Sequence, residues 1–299
     1  MVKKSFVSSH YQRAKMLDIA SRRKACEDTL RRTPALAASA GAEGGSFLDS
    51  KFIPAQLPPL EKSSPLYPGL IRKPIKVHNS DAFALARTLD PTRTNSSSTH
   101  GLSHGKVGVL NLASDREPGG GWRYTLSKTQ EEALCYSSTL YATLNPEWYP
   151  FPNMGPGSCA GIISADVLVF KDTLDRDLVE LPIGQRHVVA VITVAAPCFP
   201  MVTDDGENFA DESQLNDLRE KIVLILRMAA VNGVTNLVLG AMGCGAYKCP
   251  PRAVAREMKT ALEMNEFAGW FDTIAFAVYA AGPSGRHNFD IFKEVFGDI

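Results

Sequence analysis

KVGVLNLASDREPGGGWRYTLSKTQEEALCYSSTLY, residues 106–141, is the stretch on which the reading of this chain turns. It opens with KVGVLNLAS, an unbroken apolar run of the kind carried by a strand covered on both faces. Gly119, Gly120 and Gly121 follow in succession. After an eight-residue spacer, Gln130, Glu131 and Glu132 open a helix expected over about residues 129–144, with Leu134, Tyr141 and Leu144 as its buried stripe. Glycine loses more conformational entropy than any other residue when held still, so three in a row make a costly turn unless the backbone must come close to something. The two carboxylates have a plainer reading, in which Thr129 is an N-cap and Glu132 its capping-box partner. The glycine loop favours the other one, in which the first helical turn faces a ligand.

Outward from this stretch, strands and helices alternate. Strands are expected at 75–79, 106–114, 160–164, 166–171, 187–197 and within TNLVLGAMG and FDTIAFAVYA. Helices are expected at 81–89, at DESQLNDLREKIVLILRMAAVNG, at PPRAVAREMKTALEMNEF and from Asn288 to the end at Phe296. That alternation implies an α/β layered sheet. TRTNSSSTHGLSHG reads as a polar loop. Residues 1–33 carry nine Lys or Arg against three Asp or Glu and form one or two basic helices, with Met16, Leu17, Ala20 and Leu30 as candidate buried positions and the RRK at 22–24 solvated. AASAGAEGGS, residues 37–46, breaks the helix; the proline-punctuated 52–74 reads as an extended arm wrapped on the core.

Equal numbers of basic and acidic residues, 32 of each, leave no global field to recruit nucleic acid or membrane. Six scattered cysteines, without a CxxC pair or clustered histidines, read as reduced thiols rather than a zinc site. No secretory signal or membrane span is evident, so an intracellular protein, cytoplasmic or nuclear, is expected.

Ligands of open α/β sheets bind beyond the carboxyl ends of strands. Two strands here run into glycine-rich loops: VGVLNLAS into DREPGGGW, and NLVLGAMG into GCGAYKCPPRAV, where Gly240, Gly243 and Gly245 free the backbone and Pro250 and Pro251 suit a first helical turn. Such loops favour phosphate, and the pair points to a pyrophosphate held between them. Neither has the full dinucleotide fingerprint, and Lys128-Thr129 lacks the glycine of a P-loop. Paired carboxylates beside a pyrophosphate point to hydrolysis at a nucleotide ribose, where an acid protonates the leaving oxygen of an oxocarbenium-like centre. A helix end lowers a carboxyl pKa, whereas phosphate charge and burial raise it; the sequence leaves that balance open.

The spacing GGG, eight residues, QEE resembles the signature of the microbial-type poly(ADP-ribose) glycohydrolases, members of the macrodomain superfamily. VLNLAS, SSTLY, VLVFKD, the AAP after a long strand, GCGAY and FAVYA extend the resemblance over roughly residues 75–296, and RRKACEDTL more loosely resembles the family's accessory segment. The resemblance implies a macrodomain-like three-layer α/β/α sandwich with a mixed central sheet. It also implies a helical and proline-rich extension at 1–74 and a catalytic domain at 75–299. It implies that Glu132 is the catalytic acid and that Glu131 hydrogen-bonds the ribose, with Gln130 beside them. Gly119, Gly120 and Gly121 would approach the diphosphate, and Gly243, Cys244, Gly245 and Ala246 would form the second diphosphate loop. Tyr247 would lie beside the distal ribose, and Asn288 or Phe292 at the adenine end. Ser114 stands where many macrodomains have a ribose-contacting Asn, and Trp122 is either a lid on the glycine loop or a core residue. No metal or cofactor is implied. The expected partners are poly(ADP-ribose) or ADP-ribosylated proteins, with ADP-ribose as product and neither membrane nor sequence-specific nucleic acid. Tyr136, Lys128 and Lys248-Cys249 depart from the family pattern. Alternatives are a hydrolase of mono-ADP-ribosyl bonds and a macrodomain that binds ADP-ribose without cleaving it. His187 reads as a loop or strand-edge residue, and Cys244 as a small residue in a tight loop rather than a nucleophile.

Overall fold

In a computed structural model, which describes residues 17–38, 50–90 and 106–297, the glycine loop leaves the middle of a seven-stranded sheet. The strands are β1 (Ser50–Ile53), β2 (Lys76–His78), β3 (Lys106–Leu112), β4 (Gly161–Val169), β5 (His187–Val194), β6 (Val234–Leu239) and β7 (Thr273–Ala277). Their order is β1-β4-β5-β3-β6-β7-β2; β4 runs antiparallel to β1 and β5, and the other pairs are parallel. The helices are α1 (Ile19–Ala38), α2 (Ala82–Leu89), α3 (Gln130–Ser137), α4 (Glu212–Val231), α5 (Pro251–Glu263) and α6 (Gly282–Phe296).

Side chains alternate across a strand, so a doubly covered strand must be apolar throughout. β3 shows this directly. Val107 and Val109 join the core beneath α1, α2 and α3, whereas Leu110 joins the one beneath α4, α5 and α6. β5 divides the same way, Val189 and Val191 against Ala190 and Ile192. The result is the three-layer α/β/α arrangement with a mixed sheet.

The arm does wrap the core. Leu70 N–H donates to Gly269 O at 2.8 Å and Lys73 N–H to Asp272 O at 2.8 Å, while Tyr67 packs edge-on against Trp270. Arg227 on α4 grips Glu266 through Nε and Nη2 at 2.7 and 2.9 Å and gives Nη1 to Leu57 O at 2.6 Å. β1, from the segment read as an extension, is an edge strand of the sheet.

Several boundaries differ from expectation. The helix expected to reach residue 144 stops at Ser137, with a separate 3-10 turn at Leu140–Thr143. The hydroxyls of Ser137 and Ser138 bond back to Ala133 and Leu134 carbonyls, competing with the helical ladder. The two strands expected over 160–171 are one, β4, with an irregular register between Ser164 and Val167. The last helix begins at Gly282, because Pro283 starts the helix rather than preceding it as a turn. α1 buries Arg22, Cys26, Thr29 and Thr33, whereas Ala20 is exposed and Leu17 and Leu30 only half-buried. Met16, most of residues 37–46 and the polar loop TRTNSSSTHGLSHG lie outside the described residues.

Candidate active site

β3 and β6 are neighbours whose onward connections diverge, β3 leading through α3 to β4 and β6 through α5 to β7 on the other side. Such a switch point opens a crevice at the carboxyl ends of the strands. Both glycine loops border it.

β3 has register partners in β6 only as far as Val109, but in β5 as far as Leu112. Gln130 serves the stretch beyond. Its Nε2 donates to Leu110 O at 2.7 Å and its Oε1 accepts from Leu112 N–H at 2.9 Å, as a neighbouring strand's peptide would. Expected to contact substrate, the Gln130 amide is spent on β3 instead.

Docking α3 against β3 in this way buries both carboxyls. Glu131, 3% exposed, accepts from Ser114 N–H at 2.8 Å and from Asn111 Nδ2 at 3.2 Å; Asn111 also donates to Thr193 Oγ1. Burial, with the neighbouring Glu132 adding to it, pushes the Glu131 carboxyl up to about 8, against the pull of the Ser114 and Asn111 donors. That burial favours the protonated form of Glu131. Glu132, 5% exposed, accepts from Gly121 N–H at 2.9 Å through Oε1 and from the Thr129 hydroxyl, in a very short bond, through Oε2. Thr129 does occupy the N-cap, yet its hydroxyl holds the Glu132 carboxyl and caps no backbone N–H, so the capping box of the plainer reading is not formed.

The glycines explain themselves by what stands over them. Gly119 and Gly120 have φ of +70° and +54°, the left-handed region. A Cβ on Gly120 would lie 2.9 Å from Glu132 Oε1 and 3.0 Å from Glu131 Oε2, so the loop backbone crosses directly over both carboxyls. The Gly120 and Gly121 amides are already engaged, with Glu117 O and with Glu132. In this structure those two amides stabilise the loop and hold the Glu132 carboxyl.

The second loop is the open one. Gly243, at φ +73°, is seated so tightly that a Cβ would meet Ala196 Cβ and Cys249 Sγ at 2.6 Å. Gly245 and Ala246 are exposed and, among the described residues, Gly245 has no neighbour within 4 Å of its missing Cβ and neither amide donates to a backbone carbonyl. Asn288 braces this loop from α6, giving Nδ2 to Cys244 O at 3.3 Å. Tyr247 joins the two loops: its hydroxyl donates to Asp115 Oδ1 at 2.5 Å and accepts from Asp115 N–H at 3.1 Å. Ser114 lies at the junction, its hydroxyl accepting from Arg116 N–H.

Two expected contacts point elsewhere. Trp122 is fully buried among Tyr141 and Tyr136, with ring centroids 4.6 and 6.1 Å away, which makes it the floor of the glycine loop and not a lid. Phe292 is fully buried against Phe276 and Phe296, because α6 needs it as a core anchor. Cys244 is buried and its thiol pushed well above its ordinary value by that burial, as unsuited to nucleophilic attack as expected. His187 is the first, buried residue of β5, at the end of that strand away from the crevice. Residues the sequence reading missed are Asn111, Asp115 and Tyr149, whose buried hydroxyl, in the cluster that holds Tyr247, has no hydrogen-bond partner among the described residues. Only the alternation of β3 hinted at Asn111, a polar residue inside an apolar run.

Fold, crevice and carboxyl pair together define an α/β protein with two buried carboxyls beside an open glycine loop at a sheet switch point. Residues 72–172 match the family model for the microbial-type PARG catalytic domain, PARG being poly(ADP-ribose) glycohydrolase. The chain is similar in structure to PARG from Thermomonospora curvata, with a TM-score of 0.72, 26% identity and coverage of 92% of this chain and 99% of that one. The same enzyme bound to the inhibitor ADP-HPD aligns at a TM-score of 0.70 and 27% identity, again over 92% and 99% of the two chains. PARG from Deinococcus radiodurans in complex with ADP-ribose aligns at 0.64 and 26%, over 87% and 97%. Among curated proteins no sequence matches. The expected resemblance to microbial-type PARGs is thus met by the family model over the carboxyl-bearing segment and by the fold over most of the chain. Among the described residues, no helix is long and apolar enough to cross a membrane.

Proposed function

We propose that this protein hydrolyses the ribose–ribose O-glycosidic bonds of poly(ADP-ribose) and releases ADP-ribose, with residues 75–299 as the catalytic part and 1–74 as an accessory extension. The observation that carries the reading is the pair Glu131 and Glu132, buried at a sheet switch point and overlaid by the Gly120 backbone. The diphosphate lies on the second loop, where Gly245 and Ala246 are exposed, and the ribose of the cleaved bond lies against the carboxyls. Glu132 in its carboxylic acid form gives its proton to the leaving ribose oxygen, and the resulting carboxylate takes a proton from the attacking water, which restores the acid. Gly121 and Thr129 fix its rotamer, which sets the direction of proton delivery. Glu131, whose burial favours the protonated form, presents a neutral hydrogen-bonding group to the ribose.

Incubation with poly(ADP-ribose), and in parallel with a mono-ADP-ribosylated peptide, tests the assignment by chromatography of free ADP-ribose. Release from the polymer is expected. Release from the peptide alone assigns a mono-ADP-ribosyl hydrolase, and binding of ADP-ribose without release from either assigns a reader.

A further inference from the structure

The family match begins at residue 72 and leaves out α1, yet α1 touches the candidate active site more directly than its distance along the chain suggests. A helix docked merely to cover the sheet would bury leucines; this one buries hydrogen-bond donors. Arg22, 7% exposed, donates Nε to Leu126 O at 2.7 Å and Nη1 to Leu17 O at 2.5 Å. Leu126 closes the glycine loop in a left-handed conformation, φ +55°, sparsely populated for a residue with a Cβ and kept only where the surroundings enforce it. Its N–H donates to Gly121 O at 2.8 Å, and Gly121 N–H donates to Glu132 Oε1 at 2.9 Å. From guanidinium to acid there are thus two intervening residues. A second tether reaches the helix that carries both carboxyls, where Thr29 Oγ1 donates to Tyr136 O at 2.8 Å. Lys171 anchors α1 from the other side, giving Nζ to Thr29 Oγ1 at 2.9 Å and to Asp28 at 2.8 Å.

We infer that Arg22 is a positioning residue for the acid and that α1 is a working part of the site. Resting on the glycohydrolase reading above, the inference deepens it: α1 holds Leu126 in its unfavourable conformation, Leu126 holds the carbonyl of Gly121, and the N–H of the same residue, one peptide earlier, aims Glu132. The fork of a guanidinium serves the Leu17 and Leu126 carbonyls together, which the single ammonium of a lysine does less well.

The test uses the full chain and its R22A and R22K forms, reading turnover of poly(ADP-ribose), calorimetric affinity for ADP-ribose and hydrogen exchange of loop amides. R22A is expected to lower kcat about 10- to 100-fold, the scale of a misplaced catalytic group, with R22K in between. Affinity for ADP-ribose changes by less than about threefold, because the second loop is untouched. Amides of residues 121–126 exchange faster while those of β6 and β7 do not. Guanidinium ion added to R22A restores part of the kcat. A folded R22A with native kcat and native loop exchange overturns the inference, as does uniformly faster exchange across the whole chain. Should R22A fail to fold, R22K decides by the same loop amides, native exchange there overturning the proposal. Should the native protein release no ADP-ribose, that counts against the glycohydrolase reading, and loop exchange alone then judges the role of Arg22.

Discussion

Replacing Gly120 with alanine puts the account of the glycine loop under the sharpest strain. The new Cβ would stand 2.9 Å from Glu132 Oε1 and 3.0 Å from Glu131 Oε2, where ordinary contact begins near 3.4 Å. Each carboxyl must therefore retreat by roughly half an ångström, or the loop must lift by as much. Glu132 has little room, since it is bound to Gly121 N–H and to the Thr129 hydroxyl, and Glu131 is bound to Ser114 N–H. Alanine at φ +54° adds a backbone cost of about 1–2 kcal/mol. A domain of ordinary stability survives that loss, so G120A folds with a lowered Tm. Displacement of a proton donor by a fraction of an ångström to an ångström costs up to about 100-fold in rate, and kcat is expected to fall at least tenfold with ADP-ribose affinity nearly kept. Steady-state release of ADP-ribose, calorimetry and thermal unfolding on the same preparation separate these effects. A folded G120A with native kcat would refute the argument that the glycine is there for the carboxyls.

Glu131 makes stability depend on pH in a direction opposite to most carboxylates. Its folded value, raised to about 8, lies above its ordinary 4.5, so the native state keeps a proton that the unfolded chain releases first. Its contribution is thus fully favourable below about pH 4.5 and lost as pH rises towards 8, with a slope approaching about 1.4 kcal/mol per pH unit. Urea unfolding at pH 5, 6.5 and 8 should show E131Q gaining steadily on the native protein, and parallel pH curves would contradict the burial argument. For Y247F, Asp115 Oδ1 and N–H lose their link to the second loop, and a cost of about 1–3 kcal/mol with weaker ADP-ribose binding is expected. Unchanged affinity in that variant would mean that the two loops do not act together.

The parts of this molecule visible in its sequence are those where one residue type has one physical use. Apolar runs announced β3 and β5, and glycines after β3 and β6 announced the two loops, because only a doubly covered strand or a crowded turn requires them. Gln130, Arg22 and Thr29 were illegible for a common reason. Each serves a backbone carbonyl or amide, at Leu110 and Leu112, at Leu126 and at Tyr136, and the choice of a backbone partner leaves no mark on composition or periodicity. RRK at 22–24 has the polarity of a solvated face, and only the fold turns its first arginine inward. Tyr247 and Asp115 stand 132 residues apart, a pairing that no local pattern records. Trp122 was open between lid and core; once Tyr136 and Tyr141 are placed on either side of it, the core takes the indole.

The central claim is that Glu132 delivers the proton. The most direct measurement compares the native protein with E132Q on poly(ADP-ribose), following free ADP-ribose over time while calorimetry records ADP-ribose affinity for both. Glutamine keeps the shape and the capacity to accept from Gly121 N–H, but it has no proton to give. The account predicts release by the native protein, a fall of at least about 10²-fold in E132Q, the scale of lost general acid catalysis, and affinity retained. Release by E132Q at a rate close to native would contradict it and shift the acid role to the protonated Glu131.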